Sequence, residues 1–182
     1  MLLLLRLCVT QYRLITSKIK AILCYNRIMK HIPSRPSNTI DYVSDIIGDR
    51  INVIVMRDIL SFGARTFNDF MQHARIASTS TLAQRLKNLE SIGLIASQTD
   101  KADSRRKYYT VTTRGAALIP VVYELAVWVT HDMPDAEVHP LWKQAMARDR
   151  DQVIRAWYAA VEAGDSFFNG EHSAVKQLGL GA

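Results

Sequence analysis

Cysteine is scarce in this chain of 182 residues, which contains only Cys8 and Cys24. Neither has a second cysteine or a histidine at the spacing of a metal site, so we expect no bound metal. Two such thiols are typical of reduced cysteines in a cytoplasmic protein, and the cytoplasm is therefore the expected location.

Catalytic motifs are also lacking. The five histidines are scattered, and no HExxH, phosphate-binding loop, nucleophile elbow or paired-cysteine motif occurs. Asp132, Asp135 and Glu137 lie in a proline-containing turn without a partner motif, as solvated loop charges do. The sequence therefore favours neither an enzyme nor a protein with a cofactor.

No apolar run is long enough to cross a membrane, and no membrane partner is expected. The N-terminal run Leu2–Leu5 is interrupted by Arg6, so it is too short for a span and makes a poor signal peptide. Residues 1–39 are predicted to be a basic arm and linker. Two alternatives stay open for the arm: a basic amphipathic helix, or a segment that is disordered or not translated, with Met29 as the true start.

Charge is distributed unevenly along the chain, and two segments have few acidic residues or none. Residues 50–114 carry eleven cations against five acids, and residues 1–30 carry six cations and no acid. Residues 115–182 have the opposite balance, with five cations against nine acids. The formal net charge of +6 thus has two separate sources, and it suggests a nucleic-acid partner.

Apolar spacing and turn residues predict a mainly α-helical (α+β) fold with one small β-hairpin. A winged-helix domain is predicted at residues 40–132 and a helical extension at residues 133–182, whose end from Asn169 is expected to be a frayed tail. The predicted elements are helices at Asp41–Ile47, Ile51–Leu60 and Thr66–Arg75, a helix from the cap Ser78 to Gly93, strands at Leu94–Thr99 and Lys107–Thr112, a long helix from the cap Thr113 to Val129, and a helix at Asp149–Ala163.

The helix after Ser78 has two contrasting faces. Leucines form an apolar stripe, and the step of about 100° per residue places small polar groups and one cation on the opposite face. These side chains are Ser80, Gln84, Lys87 and Ser91, flanked by Thr81 and Asn88. Glutamine can pair with adenine, and lysine with guanine or phosphate. Taken alone, an ordinary solvated helix face is the alternative interpretation.

The order of elements favours a DNA-binding role for this face. A helix precedes it and a hairpin with a cationic tip follows it, as in a winged helix. The chain resembles the HxlR-type transcriptional regulators, relatives of the MarR winged-helix group. The segments that carry the resemblance are Ile47–Leu60, Arg65–Phe70, Ser78–Ile95 and Tyr109–Trp128. The resemblance implies a DNA-binding homodimer with its recognition helix at Thr79–Ile92 and its wing at Asp100–Lys107.

Two groups of DNA-contacting residues are predicted. The recognition helix supplies Ser78, Thr79, Ser80, Thr81, Gln84, Arg85 and Lys87. The wing and the segment before the bracing helix supply contacts to the DNA backbone through Arg65, Arg105, Arg106 and Lys107.

The chain departs from the family pattern at three places. Ile51 stands where the family usually has tryptophan, and Pro36–Ile40 has no cysteine where some members have a redox-sensing one. The wing is also more similar to the MarR wing, with Asp and Arg at its tip. A thiol switch is therefore unsupported, and the effector stays unknown.

The segment Gly115–Val129 has a single charge, Glu124, and is apolar nearly all round, so it needs a covering layer. A second copy of the chain is the predicted cover, and burial under the C-terminal extension is the alternative. The predicted dimer interface consists of Leu118, Val122, Leu125, Trp128 and Val129.

These features predict a homodimeric, sequence-specific DNA-binding transcription regulator, acting as a repressor on a double-stranded operator in response to an unknown signal. The alternative is a winged-helix interaction module whose cationic face docks an acidic protein and does not bind DNA.

Overall fold

The computed structural model describes residues 38–73, 78–103, 105–133 and 137–181. The elements in chain order are α1 (Thr39–Ile47), α2 (Arg50–Arg57) continued by a π-helical turn (Asp58–Phe62), α3 (Phe67–His73), α4 (Thr79–Ser91), β1 (Ile95–Thr99), β2 (Lys107–Val111), α5 (Thr113–Ala116), α6 (Ile119–Asp132), α7 (Pro140–Met146), α8 (Arg150–Glu162) and α9 (Ala174–Gln177). The prediction of a mainly helical protein with a small hairpin is confirmed for this part of the chain. Among the residues described, no helix is both long and apolar enough to cross a membrane.

The corner Gly48–Asp49 joins α1 to α2. Asp49 caps α2, because its carboxylate accepts hydrogen bonds from the backbone N–H groups of Ile51 (2.9 Å) and Asn52 (3.1 Å). The Asn52 amide in turn donates to the Ile46 carbonyl at 3.0 Å. The corner therefore holds α1 against α2, and the predicted helix end at Gly48 is confirmed.

The predicted buried helix Ile51–Leu60 is confirmed, and it continues further than predicted. From Asp58 the helix widens into a π-helical turn that ends at Phe62. Gly63 closes it with a φ of 70°, a left-handed conformation that glycine adopts without strain. The sequence did not predict this turn.

Thr66 starts α3, as predicted. The Thr66 hydroxyl accepts a hydrogen bond from the Asp69 N–H at 3.3 Å, and the Asp69 carboxylate accepts one from the Thr66 N–H at 2.8 Å. This reciprocal arrangement is a capping box with Asp in place of Glu. Phe70 of α3 is fully buried against Tyr109. The predicted end of this helix, near Arg75, lies outside the described residues.

Ser78 caps α4, also as predicted, because its hydroxyl accepts a hydrogen bond from the Thr81 N–H at 3.4 Å. Gly93 follows the helix with a φ of 74° and allows the chain to turn into β1. Three residues of the predicted apolar stripe, Leu82, Leu86 and Leu89, are buried, and its last residue, Ile92, is half-buried. The opposite face of α4 is therefore left for solvent or a ligand.

The two predicted strands are confirmed to within one residue, and they pair antiparallel with Ser97 opposite Tyr109. The segment before α3 joins them, because the Tyr109 N–H donates to the Arg65 carbonyl at 2.7 Å and Thr66 forms an isolated bridge with Tyr108. This third, strand-like edge was not predicted, since a one-residue bridge has no local sequence pattern. It anchors the wing to the bracing helix.

The prediction of one long helix over residues 113–129 is wrong. Thr112 is the cap, through a 3.0 Å hydrogen bond from the Gly115 N–H, and the first helix ends after one turn at Ala116. Pro120 explains the break, because it lacks the N–H that would bond to the Ala116 carbonyl and its ring crowds that oxygen. Pro120 instead lies in the first turn of α6, where the missing N–H costs little.

The C-terminal segment, residues 137–181, packs on the end of the π-helical turn. The Trp157 indole N–H and the Phe167 backbone N–H both donate to the Leu60 carbonyl, at 2.9 and 3.0 Å. The Phe168 N–H donates to the Ser61 carbonyl at 2.9 Å. These donors satisfy carbonyls that the end of a helix leaves without partners. The C-terminal segment and the winged helix therefore share one core.

The predicted helix Asp149–Ala163 is confirmed as α8, but the prediction of a frayed tail from Asn169 is wrong. The Val175 N–H donates to the Phe167 carbonyl at 3.0 Å, which folds the tail back on the core. The buried residues of this tail are Ser173, Ala174, Val175, Leu178 and Leu180. The domain boundaries given above stay predictions.

Candidate nucleic-acid interface

One face of α4 is polar and open to solvent. Its exposed side chains are Ser80, Gln84, Lys87 and Ser91, with the small Ala83 beside them, and Thr79 lies on the same flank as Glu90. The only acid within this helix, Glu90, lies on a flank, where its carboxylate accepts a 2.7 Å hydrogen bond from the Ser97 hydroxyl of β1. The exposed face therefore combines hydroxyls, an amide and an ammonium group without a carboxylate.

The start of α4 is rich in hydroxyl groups. The Ser78 and Ser80 hydroxyl oxygens lie 2.7 Å apart, and Ser78 also caps the helix. The first-turn N–H groups have no acceptor within the helix, and the helix dipole makes this end positive. An anionic oxygen is therefore favoured beside Thr79 and Ser80.

Arg85, predicted as a DNA contact, points elsewhere. Its guanidinium forms an ion pair with Asp49 at 2.9 Å, and the side chains of the two residues are 37% and 27% exposed. Because Asp49 also caps α2, this pair ties the recognition helix to the first corner of the fold. The predicted DNA contact of Arg85 thus competes with a structural role.

Arg65, the predicted phosphate contact before α3, is also engaged within the protein. Its guanidinium donates to the Gly164 carbonyl at 2.8 Å. Burial lowers the pKa of Arg65 from its ordinary value, and the nearby Asp165 carboxylate opposes that shift. The side chain therefore joins the winged helix to the C-terminal segment.

The wing tip carries its cations into solvent. The turn is closed by hydrogen bonds from the Asp100 N–H to the Arg106 carbonyl and from the Arg106 N–H to the Asp103 carbonyl, both 2.9 Å. Arg105 is 90% exposed and pairs with Asp103 at 3.2 Å, and its hydrogen bonds lower the pKa of Asp103. Arg106 and Lys107 are exposed as well. With the exposed Lys101, the wing thus presents four cations beside the acids Asp100 and Asp103.

The helix α6 has one covered side and one open side. Tyr123 is buried and contacts Trp142 of the C-terminal segment, so the predicted alternative cover accounts for part of this helix. On the open side Leu125 is 42% exposed and Trp128 is 59% exposed. The other residues of the predicted interface, Leu118, Val122 and Val129, are half-buried.

Two exposed apolar residues of this region were missed, Val121 (37% exposed) and Met133 (54%). A signal for Val121 exists in the sequence. With Leu125 and Trp128 it forms a stripe with spacing i, i+4, i+7, whereas the predicted stripe started from Leu118. We call Val121, Leu125 and Trp128 the outer strip of α6.

Comparison with known proteins identifies this arrangement. The HxlR-like helix-turn-helix family matches residues 46–137, half of the chain. A similar protein is the HTH-type transcriptional regulator YodB of Bacillus subtilis (strain 168), which is 29% identical over 83 residues, covering 46% of this chain and 73% of YodB. The crystal structure of PA1607 has a TM-score of 0.50 at 27% identity and covers 59% of this chain and 72% of that one.

The match begins at the end of α1, includes α4 and the hairpin, and ends five residues after α6. The fold is a winged helix, and the departures at Ile51 and at the wing do not remove the chain from the family. This chain belongs to the HxlR-like helix-turn-helix family, a family of transcription regulators and not of enzymes.

Proposed function

We propose that this protein is a cytoplasmic, homodimeric repressor that binds a double-stranded DNA operator through α4 and the wing. The observation that supports this most is the exposed face of α4, which has no carboxylate and is followed by a hairpin with exposed cations at its tip. DNA presents phosphates and base edges together, and these two surfaces offer partners for both.

The α4 face supplies the sequence preference. Gln84 lies at the centre of this face and is exposed. Its side-chain amide can form two hydrogen bonds with an adenine, one as donor and one as acceptor. Lys87, one turn later, suits a guanine edge or a phosphate. Thr79 and Ser80 at the helix start suit a phosphate oxygen. In this arrangement α4 enters the major groove, and α3 braces it.

The wing supplies affinity without sequence preference. Arg105 and Arg106 lie at the tip, and Lys107 begins β2. Contacts of these cations with phosphates release counterions, so binding weakens steeply with salt. Asp103 limits this contribution, because its carboxylate already pairs with Arg105.

The outer strip of α6 supplies the dimer contact. It is a patch of large apolar side chains at the surface of a single chain, and two such strips cover one another in a two-fold dimer. A dimer places two recognition helices about 34 Å apart, so the operator is expected to be roughly palindromic.

Fluorescence anisotropy with labelled duplexes from the region upstream of the protein's own gene tests this function. We expect specific binding, with a salt dependence whose slope falls by about 2 when Arg105 and Arg106 are both changed to alanine. The matched control changes Arg148 and Arg155, two exposed arginines of the C-terminal segment, to alanine and keeps the slope.

The change Gln84→Ala separates recognition from affinity. It should weaken binding to the operator by about 1–3 kcal/mol while binding to unrelated DNA stays the same. A folded dimer that binds no upstream duplex at low salt contradicts the proposal. Capture of an acidic protein that unrelated duplex DNA cannot displace would favour the interaction module instead.

A further inference from the structure

A groove of about 420 Å³ has three walls. The first is formed by α2 and the π-helical turn, the second by α6, and the third by the C-terminal segment. This volume falls in the range of small-molecule sites, about 300–1,000 Å³. Its walls are mostly apolar and aromatic, and they include Val53, Phe62, Val122, Ala126, Trp142 and Phe168. Two of these rings, Trp142 and Phe168, have centroids 6.1 Å apart.

Part of the groove comes from residues that the family match does not include. Val138, His139, Trp142 and Phe168 follow residue 137, where the match ends. The buried packing of Trp142 on Trp157, with centroids 5.4 Å apart, holds this wall in place. The groove is therefore a feature of this chain and its C-terminal segment.

The groove is separate from most of the outer strip of α6. With a step of about 100° per residue, Val121 and Trp128 point to one side of the helix. Val122 and Ala126, which line the groove, point about 100–160° away from them. Leu125 alone belongs to both surfaces. A second copy of the chain on the outer strip would leave the groove for a different occupant.

One cation of the groove has hydrogen-bonding capacity left. Arg57 donates from Nε (2.8 Å) and Nη2 (2.6 Å) to the same oxygen of Asp58, which is fully buried. The Arg57 side chain is 42% exposed, and its Nη1 bonds to none of the described residues. Those N–H groups can therefore donate to an acceptor in the groove.

A second donor lines the groove. His139 Nδ1 accepts a hydrogen bond from the Leu141 N–H at 3.3 Å, which leaves Nε2 as the nitrogen of this ring that can donate. Glu137 also lines the groove, but it is exposed, so solvent screens its charge. The polar groups of the groove thus favour an acceptor on an otherwise apolar ligand.

We infer that this groove binds an apolar, ring-containing small molecule that carries one hydrogen-bond-accepting group near Arg57. Such a molecule contacts α2, α6 and the C-terminal segment at once, so its binding changes how the dimer helix lies against the DNA-binding part. Its role as the signal to the regulator rests on the proposed function, whereas the binding itself does not.

Two fluorescent dyes with the same rings test the inference on the full-length protein. Anilinonaphthalene sulfonate carries an acidic group, and phenylnaphthylamine is the same molecule without it. We expect both to bind one site per chain, and Ala126→Trp, which fills the groove, to weaken both by at least about tenfold. The control Ala159→Trp, at an exposed position of α8, should leave the affinities of both dyes within about twofold of the wild-type values.

The accepting group is tested at Arg57. Replacing Arg57→Gln together with Asp58→Asn removes both charges of this ion pair at once. We expect the sulfonate affinity to fall about tenfold and the phenylnaphthylamine affinity to stay within about twofold. Arg57→Lys keeps a cation beside Asp58 but removes the Nη1 donors, so it should act in the same direction. Circular dichroism confirms that each variant is folded.

Absence of dye binding, or equal binding by the wild type and Ala126→Trp, overturns the inferred site. Equal losses for both dyes in the Arg57 variants overturn the inferred accepting group near Arg57. The DNA anisotropy assay is run separately without dye, so the two proposals fail independently. A protein that binds the operator but no dye contradicts only the groove, and one that binds dye but no DNA contradicts only the proposed function.

Discussion

The helix α4, the proposed recognition helix, and the C-terminal helix α8 are both 13 residues long, and in each a side chain just before the first turn caps the helix. α4 leaves a whole face of small polar groups in solvent, whereas α8 surrounds Trp157 with the core and exposes charges of both signs. Length and capping therefore do not distinguish a helix proposed to contact DNA from a helix that packs on the core. What distinguishes them is the composition of the face that the core does not use.

The same contrast separates the two halves of the molecule. Within the winged helix, residues 50–114 carry eleven cations against five acids and present the polar face and the tip. The C-terminal segment instead buries aromatic side chains on the π-helical turn. The first half is suited to touch DNA, and the second holds the first in shape. Each prediction below tests this division.

The largest effect is expected at Trp157. Trp157→Ala removes a fully buried side chain and one donor to the Leu60 carbonyl, so the free energy of unfolding should fall by about 3–5 kcal/mol. Urea denaturation followed by circular dichroism measures it. The control is Gln84→Ala, at an exposed position of α4. This change should alter the free energy of unfolding by no more than about 0.5 kcal/mol. An unchanged winged-helix transition in Trp157→Ala would show that the C-terminal segment is an independent appendage.

The helix α6 lies between these extremes, with one side in the core and the outer strip exposed. Changing Leu125 and Trp128 together to glutamate should weaken the proposed dimer by about 3 kcal/mol, roughly a hundredfold in its dissociation constant. Sedimentation velocity measures this effect. Ala159→Glu, at an exposed position of α8, is the control and should leave the dimer intact. A double variant that stays dimeric places the interface elsewhere.

The helix α4 itself contains one cation that is paired within the protein, Arg85, and one that is exposed, Lys87. Arg85→Ala breaks the partly exposed pair with Asp49, so stability should fall by about 0.5–1 kcal/mol while the salt slope of DNA binding is kept. Lys87→Ala should do the reverse, with stability nearly unchanged and the salt slope reduced by about 0.9. A drop in salt slope for Arg85→Ala would restore this residue to the DNA contacts.

The smallest effect is expected at the wing tip. Asp103→Asn keeps an oxygen that can accept from the Arg105 N–H but removes the carboxylate that pairs with its guanidinium. DNA binding should become about two- to fivefold tighter at low salt, because one repulsive charge is removed and Arg105 is released. The gain should shrink as salt is added. Unchanged or weaker binding would mean that the tip does not approach DNA.

Much of the fold could be predicted because its signals are local. The caps Thr66 and Ser78 were predicted from residue type and from the apolar stripe that follows, and both make the expected hydrogen bonds. The stops at Gly48 and Gly93 were predicted in the same way. In each case the interacting residues are within four positions of one another, so the sequence displays them together.

The candidate site was predictable in part. The exposure of Gln84 and Lys87 follows from the helical step, and the exposure of Arg105 follows from its place in a hairpin turn. Arg65 and Arg85 look the same in the sequence, yet each is paired within the protein. Their partners lie far along the chain, and no local pattern could separate them from the free cations.

The sequence by itself determined the order of the helices and the hairpin, the faces of α4, and the place where cations collect, because caps, glycines and apolar spacing act over a single turn. Only the tertiary structure decided the π-helical turn, the anchored tail and the groove beside Arg57. The physical reason is the distance between the partners: the carbonyl of Leu60 receives its hydrogen bond from a tryptophan 97 residues later. A chain that must satisfy its buried polar groups finds such partners only when it is folded.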